Sequence, residues 1–297
     1  MLRKKRKVMS ENNGKEPRKT LLQKVLCKVI NKIEIKKYSY VNWWKTWLFN
    51  LRCFPLKQAV RLPVFIYNNV QIKGICEVVL DAPHIYKGMI QIGNMPAKAY
   101  GKTKWLYIKK VIFHGSCDIW GGTVIEGRGT LEFGDNVVLA ENCKIMCANH
   151  ILFHDHTRAG YETIFMDTDF HYIIDTETNK VRRNTATIEI GEGTWISSTC
   201  KIMKGTHLPK NSIVGGGSLV NHDFSNEAPC QIFAGSPAKP VKGGKRRIYN
   251  VKVETELDEY FMANPDETSK VMDVDDFDDF CYSNFYRNRG DNYVSQK

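Results

Sequence analysis

The chain has 297 residues, 42% of them hydrophobic, which is enough for a buried core in one or two domains. It contains no run of 18 or more apolar residues, so no membrane-spanning helix is predicted. Lys24 and Lys28 interrupt the only apolar stretch that could serve as a signal peptide. The formal charge is +11, but residues 1–61 alone hold 17 Lys and Arg against 3 Asp and Glu, whereas residues 249–297 lean acidic. This asymmetry predicts a basic arm that meets something anionic and a solvated acidic tail.

The basic arm carries two helical patterns. The first spans residues 21–33, where apolar side chains recur on one stripe beside Lys24, Lys28 and Lys32. The second stripe is rich in tryptophan and leucine: Trp43, Trp44, Trp47, Leu48 and Leu51. Lysine beside Trp and Leu is typical of a helix lying in a membrane interface. Packing of both stripes on the main domain is the alternative.

From about residue 64 to 112 the pattern turns strand-like, and then a six-residue period begins. The period is clearest in the aliphatic series Ile190, Ile196, Ile202, Leu208, Val214 and Val220. Earlier series are Phe133, Leu139, Ile145 and Ile151, followed two residues later by Phe153, Ala159 and Phe165. Four residues after the first five members of the clearest series stand small side chains: Thr194, Cys200, Thr206, Ser212 and Ser218. A period of six suits a coil of short parallel strands, with one aliphatic pointing inward per strand and a small residue at each corner.

The sequence here resembles the hexapeptide-repeat acyltransferases, and most closely the O-acetyltransferases of polysaccharide and antibiotic modification. The resemblance covers roughly residues 105–245, through the segments MDTDFH, IEIGEGTWISSTCKIMKGTHLPKNSIVGGGSLV and AGSPAKPVK. It implies an all-β fold, a left-handed parallel β-helix. We therefore predict a helical arm at 1–61, a β-helix domain at 62–245 with a loop insertion at about 171–187, and an irregular acidic extension at 246–297.

His171 interrupts the repeat. It lies six residues after Phe165, where the next inward aliphatic is expected, and the pattern resumes only near Ile188. In the resembling family a histidine at the start of this loop is the general base, and an imidazole titrates near neutrality, as that role requires. Asp169 and Asp167 either orient the ring and fix its tautomer or are turn residues that cap the exit from the coil.

The resemblance also implies the residues that bind acetyl-CoA, the predicted acyl donor. Ser198 and Gly216 would line the groove between coils, because small residues leave room for the pantetheine arm, although both are also explained as ordinary corner residues. Trp195 precedes that groove and is equally explained by packing. Where the family usually has a Thr-Lys pair, this chain has Asn221 and His222, while Lys239 and Lys242 match the basic positions suited to phosphates.

Two other functions compete with acetyl transfer. His150, His154 and His156 have the spacing H-x-x-x-H-x-H, which would suit a metal-dependent lyase or hydrolase on the same scaffold. A non-enzymatic β-helix scaffold is the other alternative. We expect no metal, and we interpret Cys117, Cys143 and Cys200 within the repeats as reduced core residues.

The sequence taken together predicts a cytoplasmic acetyl-CoA-dependent O-acetyltransferase acting on a sugar hydroxyl of a polysaccharide or glycolipid precursor. Transfer would be direct, without an acyl-enzyme. The predicted partners are acetyl-CoA, a carbohydrate acceptor and two further copies of the chain in a homotrimer. Residues 1–61 could contact the inner membrane surface, and no nucleic acid is expected.

Overall fold

The computed structural model describes residues 40–74, 76–94 and 101–283. The chain divides into two units, Met1–Tyr40 and Val41–Lys297, and all described residues except Tyr40 belong to the second. The helical stripe predicted at 21–33 therefore lies outside the described residues. Across the described ranges, no helix is both long and apolar enough to cross a bilayer.

The elements follow one another in a regular order. The helices are α1 (Trp43–Cys53), α2 (Leu56–Ala59), α3 (Val251–Ala263) and α4 (Phe277–Tyr282). The strands are β1 (Val64–Ile66), β2 (Val70–Lys73), β3 (Glu77–Leu80), β4 (Ile90–Asn94), β5 (Thr103–Leu106), β6 (Lys110–Phe113), β7 (Cys117–Trp120), β8 (Val124–Gly127), β9 (Thr130–Phe133), β10 (Val137–Leu139), β11 (Lys144–Cys147), β12 (His150–Phe153), β13 (Arg158–Ala159), β14 (Ile164–Met166), β15 (Ile188–Ile190), β16 (Trp195–Ile196), β17 (Lys201–Met203), β18 (His207–Leu208), β19 (Ile213–Val214), β20 (Leu219–Val220), β21 (Ile232–Gly235) and β22 (Ala238–Lys242).

Every third strand belongs to the same sheet. The described strands therefore form a parallel coil with three faces. The first sheet has the order β1-β4-β7-β10-β13-β16-β19-β21-β22, the second β2-β5-β8-β11-β14-β17-β20, and the third β18-β15-β12-β9-β6-β3. Neighbouring strands are parallel except β21 and β22, which form an antiparallel end to the first sheet. The predicted parallel β-coil is confirmed.

The predicted inward positions form the core. Ile190, Ile196, Ile202, Val214 and Val220 are fully buried, and Leu208 is nearly so. The small residues four positions later are also buried, and their side chains donate to carbonyls: Ser218 Oγ reaches Gly215 O at 2.6 Å and Thr206 Oγ1 reaches Val220 O at 3.0 Å. These corner side chains therefore hydrogen-bond to backbone carbonyls of the coil, which satisfies buried polar groups.

The interior also contains an aromatic column. Phe113, Phe133 and Phe153 stand opposite one another in β6, β9 and β12. Their ring centroids are 5.3 Å apart at both steps, with nearly parallel planes, and all three side chains are fully buried. Parallel pairing in register stacks identical side chains directly above one another, which is why the 20-residue spacing of these phenylalanines produces a column.

The helix α1 packs on the first strand through polar groups. Asn50 Nδ2 donates to Val64 O at 2.7 Å, and Val64 N donates back to Asn50 Oδ1 at 3.2 Å. Thr46 Oγ1 accepts from Ile66 N at 3.0 Å, and both side chains are buried. The side of α1 that carries Thr46 and Asn50 therefore packs on the coil, whereas the predicted Trp- and Leu-rich stripe is exposed, with Trp44 at 78%.

The prediction of an irregular C-terminal extension is wrong for residues 251–263 and 277–282. These stretches form α3 and α4, each started by a side-chain cap, Asn250 and Asp276 respectively. Tyr249 and Cys281 are buried, and Tyr249 donates from its hydroxyl to Gly193 O at 3.3 Å. These buried side chains hold the acidic segment against the coil. Its charge composition alone predicted a solvated tail.

Candidate active site

A hairpin leaves the coil between β14 and β15, where the six-residue pattern lapses. Bridges between Thr168 and Thr185 and between Ile174 and Val181 join its two antiparallel arms. Ala186 N donates to Asp167 O at 3.0 Å where the chain returns. Ile188 is again fully buried, so the coil continues below the hairpin without a change of register.

Asp167 fixes the base of this hairpin. Its side chain is fully buried and accepts from Ala148 N at 2.7 Å and from Asn149 N at 2.8 Å. Burial raises the pKa of the Asp167 carboxyl, and the backbone N–H groups oppose that rise. Asp167 thus joins the exit of one coil to the corner of the preceding one, which is a capping role.

Asp169 lies in an ion pair that the sequence did not reveal. Its Oδ2 is 2.5 Å from Nζ of Lys204, which stands at the corner after β17 in the coil below. Lys204 Nζ also donates to Arg183 O at 3.3 Å, on the returning arm of the hairpin. Lys204 therefore connects both arms to the coil. An orienting role of Asp169 toward an imidazole stays a prediction.

His171 is exposed on the outgoing arm, and its backbone N donates to Asp169 O at 2.6 Å. It lines a cavity of about 640 Å³ between the hairpin and Lys204. The other lining residues are Asp169, Ile173, Ile174, Asp175, Thr176, Glu177, Lys180, Arg182, Arg183 and Asn184. The predicted base is thus open to solvent and to an acceptor.

Ser198 and Gly216 occupy the same corner in successive coils, between the first and second sheets. Gly217 N donates to Ser198 O at 3.1 Å, which links the two corners directly. A Cβ built on Gly216 would have Ser198 O as its nearest neighbour, at 3.7 Å, which is an ordinary van der Waals contact. Packing within the chain therefore does not require glycine at this exposed position, and the space beside it is open for a ligand.

The other residues predicted to bind the acyl donor lie in β16, directly after β20 and in β22. Trp195 in β16 is half-buried, and the Arg247 guanidinium lies 4.9 Å from its ring centroid, so packing explains this side chain. Asn221 and His222 follow β20 and contact each other, Oδ1 to Nδ1, at 2.6 Å. Lys239 and Lys242 are exposed on the edge strand β22. None of these contacts tests a role in binding.

Within one chain, the predicted general base and the residues predicted to bind acetyl-CoA lie at different corners of the coil. His171 and Lys204 stand between the second and third sheets, whereas Ser198 and Gly216 stand between the first and second. The second sheet separates these two corners. A single coil therefore does not bring the two groups together at one edge.

The three histidines of the metal alternative have separate partners. His150 Nε2 is 3.1 Å from Glu132, and His154 Nε2 is 2.8 Å from Glu189. His156 stacks on the Tyr282 ring with centroids 4.9 Å apart, and burial lowers its pKa. Among the residues that the structure describes, no group of three His, Cys, Asp or Glu side chains is arranged to hold a metal ion.

Comparison with known proteins points to one class. No family model matches the chain. It is 22% identical over 130 residues to the galactoside O-acetyltransferase of Lactococcus lactis subsp. lactis strain IL1403, covering 42% of this chain and 57% of that protein. It is 26% identical over 113 residues to the galactoside O-acetyltransferase of Escherichia coli strain K12, covering 38% and 44%. The chain thus spans about half the length of these curated relatives, and its resemblance to acetyltransferases is confirmed.

Solved structures show weaker similarity. The polySia-specific acetyltransferase NeuO is 18% identical, with coverage of 68% of this chain and 99% of that one and a TM-score of 0.40. A hexapeptide-repeat acetyltransferase from Vibrio cholerae O1 biovar eltor, solved with acetyl coenzyme A, is 23% identical, with coverage of 39% and 61% and a TM-score of 0.33.

Proposed function

We propose that this protein is an acetyl-CoA-dependent O-acetyltransferase that modifies a sugar hydroxyl of a polysaccharide or glycolipid precursor. The observation that carries the proposal is the His171 hairpin, which rises from an otherwise continuous hexapeptide coil and opens onto a cavity. The similarity to galactoside O-acetyltransferases supports both the reaction and the class of acceptor. We also infer that the coil is left-handed, as in the family it resembles.

In the proposed reaction His171 is the general base. Acetyl-CoA supplies an acetyl thioester, whose C–S bond breaks as a C–O bond forms to the acceptor oxygen. His171 accepts the hydroxyl proton during this attack and then donates it to the departing sulfur, so the products are the acetylated sugar and the free thiol. No residue of the chain becomes acylated. Lys204 and Asp169 hold the hairpin that presents the imidazole.

The donor would lie along the corner formed by Ser198 and Gly216, with its phosphates near Lys239, Lys242 and His222. The open space beside Gly216 fits a ligand that approaches the backbone closely. Since His171 stands at another corner of the same chain, we propose that the site is completed between two subunits of a homotrimer. His171 of one copy would then act on the donor held by its neighbour.

The acetyl-CoA site is tested by enlarging Gly216. Gly216→Val is expected to weaken acetyl-CoA binding at least about tenfold, because its methyl groups project into the groove, while the melting temperature stays nearly unchanged. Gly216→Ala, whose Cβ makes only ordinary contacts, should have a smaller effect. Both are measured by isothermal titration calorimetry and thermal unfolding. No heat from wild-type protein, or equal affinity in the valine variant, would contradict the proposed donor site.

We further propose that the exposed face of α1 contacts an anionic membrane surface. Trp44, Trp47, Leu48 and Leu51 are between 42% and 78% exposed on this helix, and Arg52 is exposed beside them. The basic composition of residues 1–61 complements anionic lipid headgroups. The occupant of this face would thus be the lipid surface that holds a glycolipid precursor.

Vesicle sedimentation tests the membrane contact. The full chain should sediment with vesicles that contain phosphatidylglycerol and much less with pure phosphatidylcholine. Trp44→Ser combined with Leu48→Ser should reduce binding to the anionic vesicles at least about fivefold, because both side chains are exposed apolar groups. Val271→Ser, at a 96% exposed position in the C-terminal segment, is the matched control. Unchanged sedimentation of the double variant would show that this face of α1 does not bind the vesicles.

A further inference from the structure

The cavity beside His171 is unusually rich in cations. Lys180, Arg182 and Arg183 line it from the returning arm of the hairpin, and Lys204 lines it from the coil. The chain has a net charge of +11, and residues 1–61 alone carry +14. Residues 62–297 therefore carry a net charge of −3. The cluster is therefore a local feature and not part of a generally basic surface.

Of the three carboxylates that line the cavity, Asp169 forms an ion pair and Asp175 accepts backbone hydrogen bonds. Asp169 pairs with Lys204 at 2.5 Å. Asp175 Oδ1 accepts from Glu177 N at 3.0 Å and from Thr178 N at 2.9 Å, so it closes the turn at the hairpin tip. These backbone bonds hold the pKa of the Asp175 carboxyl below its usual range. The remaining acid is Glu177, which is exposed at the same tip.

Three cations of the cavity form no close ion pair among the described residues. In the described part of the chain, no carboxylate oxygen lies within 4.0 Å of a charged nitrogen of Lys180, Arg182 or Arg183. Like charges held on one short arm repel one another, and a bound anion would relieve that repulsion. Arg182 and Arg183 both line the cavity, and a guanidinium group offers the planar donor pair that matches a carboxylate or a phosphate.

We infer that the acceptor bound in this cavity is anionic: a sugar that bears a carboxylate or a phosphate close to the hydroxyl that reacts. The inference rests on the proposed function, because His171 in the same cavity marks it as the acceptor side of the site. Lys180, Arg182 and Arg183 bind the anionic group and so hold the acceptor in the cavity. They determine specificity and take no part in proton transfer.

Binding and turnover are measured together on the full chain. The acceptor probes are a galacturonic acid trisaccharide, galactose 6-phosphate and a neutral galactose trisaccharide. Calorimetry gives the affinity of each probe, and thiol release at saturating acetyl-CoA gives KM and kcat. We expect at least one anionic probe to bind about tenfold or more tightly than the neutral one. Raising NaCl should weaken that preference, because salt screens exposed charges.

The double substitution Arg182→Gln/Arg183→Gln is expected to raise KM for the preferred anionic probe at least tenfold, with kcat and acetyl-CoA affinity little changed. Lys252→Gln/Lys270→Gln removes the same charge from the exposed C-terminal segment and should leave KM unaltered. A carboxylate and a phosphate acceptor are distinguished by which anionic probe loses affinity in the double variant.

The result also separates this inference from the proposed function. Equal affinity for neutral and anionic probes, no binding of either anionic probe, or unchanged KM in the double variant overturns the anionic acceptor, even when acetyl-CoA binds and is turned over. Absence of acetyl-CoA binding overturns the proposed transferase instead. In that case the affinities for the sugar probes, which need no donor, still decide whether the cavity selects anions.

Discussion

Replacement of His171 by alanine is expected to lower kcat for acetyl transfer by about 10²–10⁴-fold, the usual contribution of a positioned general base. The side chain is exposed on the hairpin, so its removal leaves no cavity and no buried polar group without a partner. Affinity for acetyl-CoA and the melting temperature should therefore stay close to the wild-type values. Thiol release, calorimetry and thermal unfolding measure the three quantities.

His154→Ala is the matched control for that experiment. His154 is also partly exposed, but it lies on the outer side of the coil, where Nε2 contacts Glu189 at 2.8 Å. Its removal should change kcat by less than about twofold. Loss of activity in His154→Ala with activity retained in His171→Ala would reverse the assignment and favour the metal-dependent alternative.

Phe133→Ala is expected to destabilise the protein by about 3–5 kcal/mol, the cost of a large-to-small change in a packed aromatic core. The ring is fully buried between Phe113 and Phe153, with centroids 5.3 Å away on either side. A coil cannot easily collapse to fill the gap, because the hydrogen bonds between β6, β9 and β12 fix the spacing of the strands. Urea unfolding monitored by circular dichroism measures the loss.

The control for the core substitution is Phe277→Ala at the start of α4, where the side chain is 59% exposed. Its effect should stay within about 0.5 kcal/mol, as for most surface changes. A loss below about 1 kcal/mol for Phe133→Ala would contradict the aromatic column. A broadened transition would indicate that the coils unfold separately, as repeat proteins can.

The six-residue period by itself determined the parallel coil. An inward aliphatic at every sixth residue indicates one short strand per repeat, and the structure places Ile190, Ile196 and Ile202 on three different sheets. The same period predicted the interruption at His171, because a polar residue at an inward position cannot remain in the core. Such information is local, and a single sequence contains it.

The number of residues in one turn of the coil was harder to predict from the sequence. Cys117 pairs with Val137 across 20 residues, whereas Ile196 pairs with Val214 across 18. In the sequence, the two extra residues of one earlier turn appear as the phase shift between Ile151 and Phe153. The 20-residue recurrence of phenylalanine at 113, 133 and 153 was a signal that could have indicated the longer turn.

Tertiary structure alone decided which side chains meet at the hairpin and at the C-terminus. Lys204 reaches Asp169 and Arg183 because the coil stacks the corner after β17 beneath the exit after β14, and sequence distance does not reveal such stacking. Tyr249 and Tyr282 likewise anchor an acidic segment whose composition indicated only solvation. Periodicity reports which residues face inward, whereas contacts between outward-facing groups depend on the register of coils that are 20 or more residues apart.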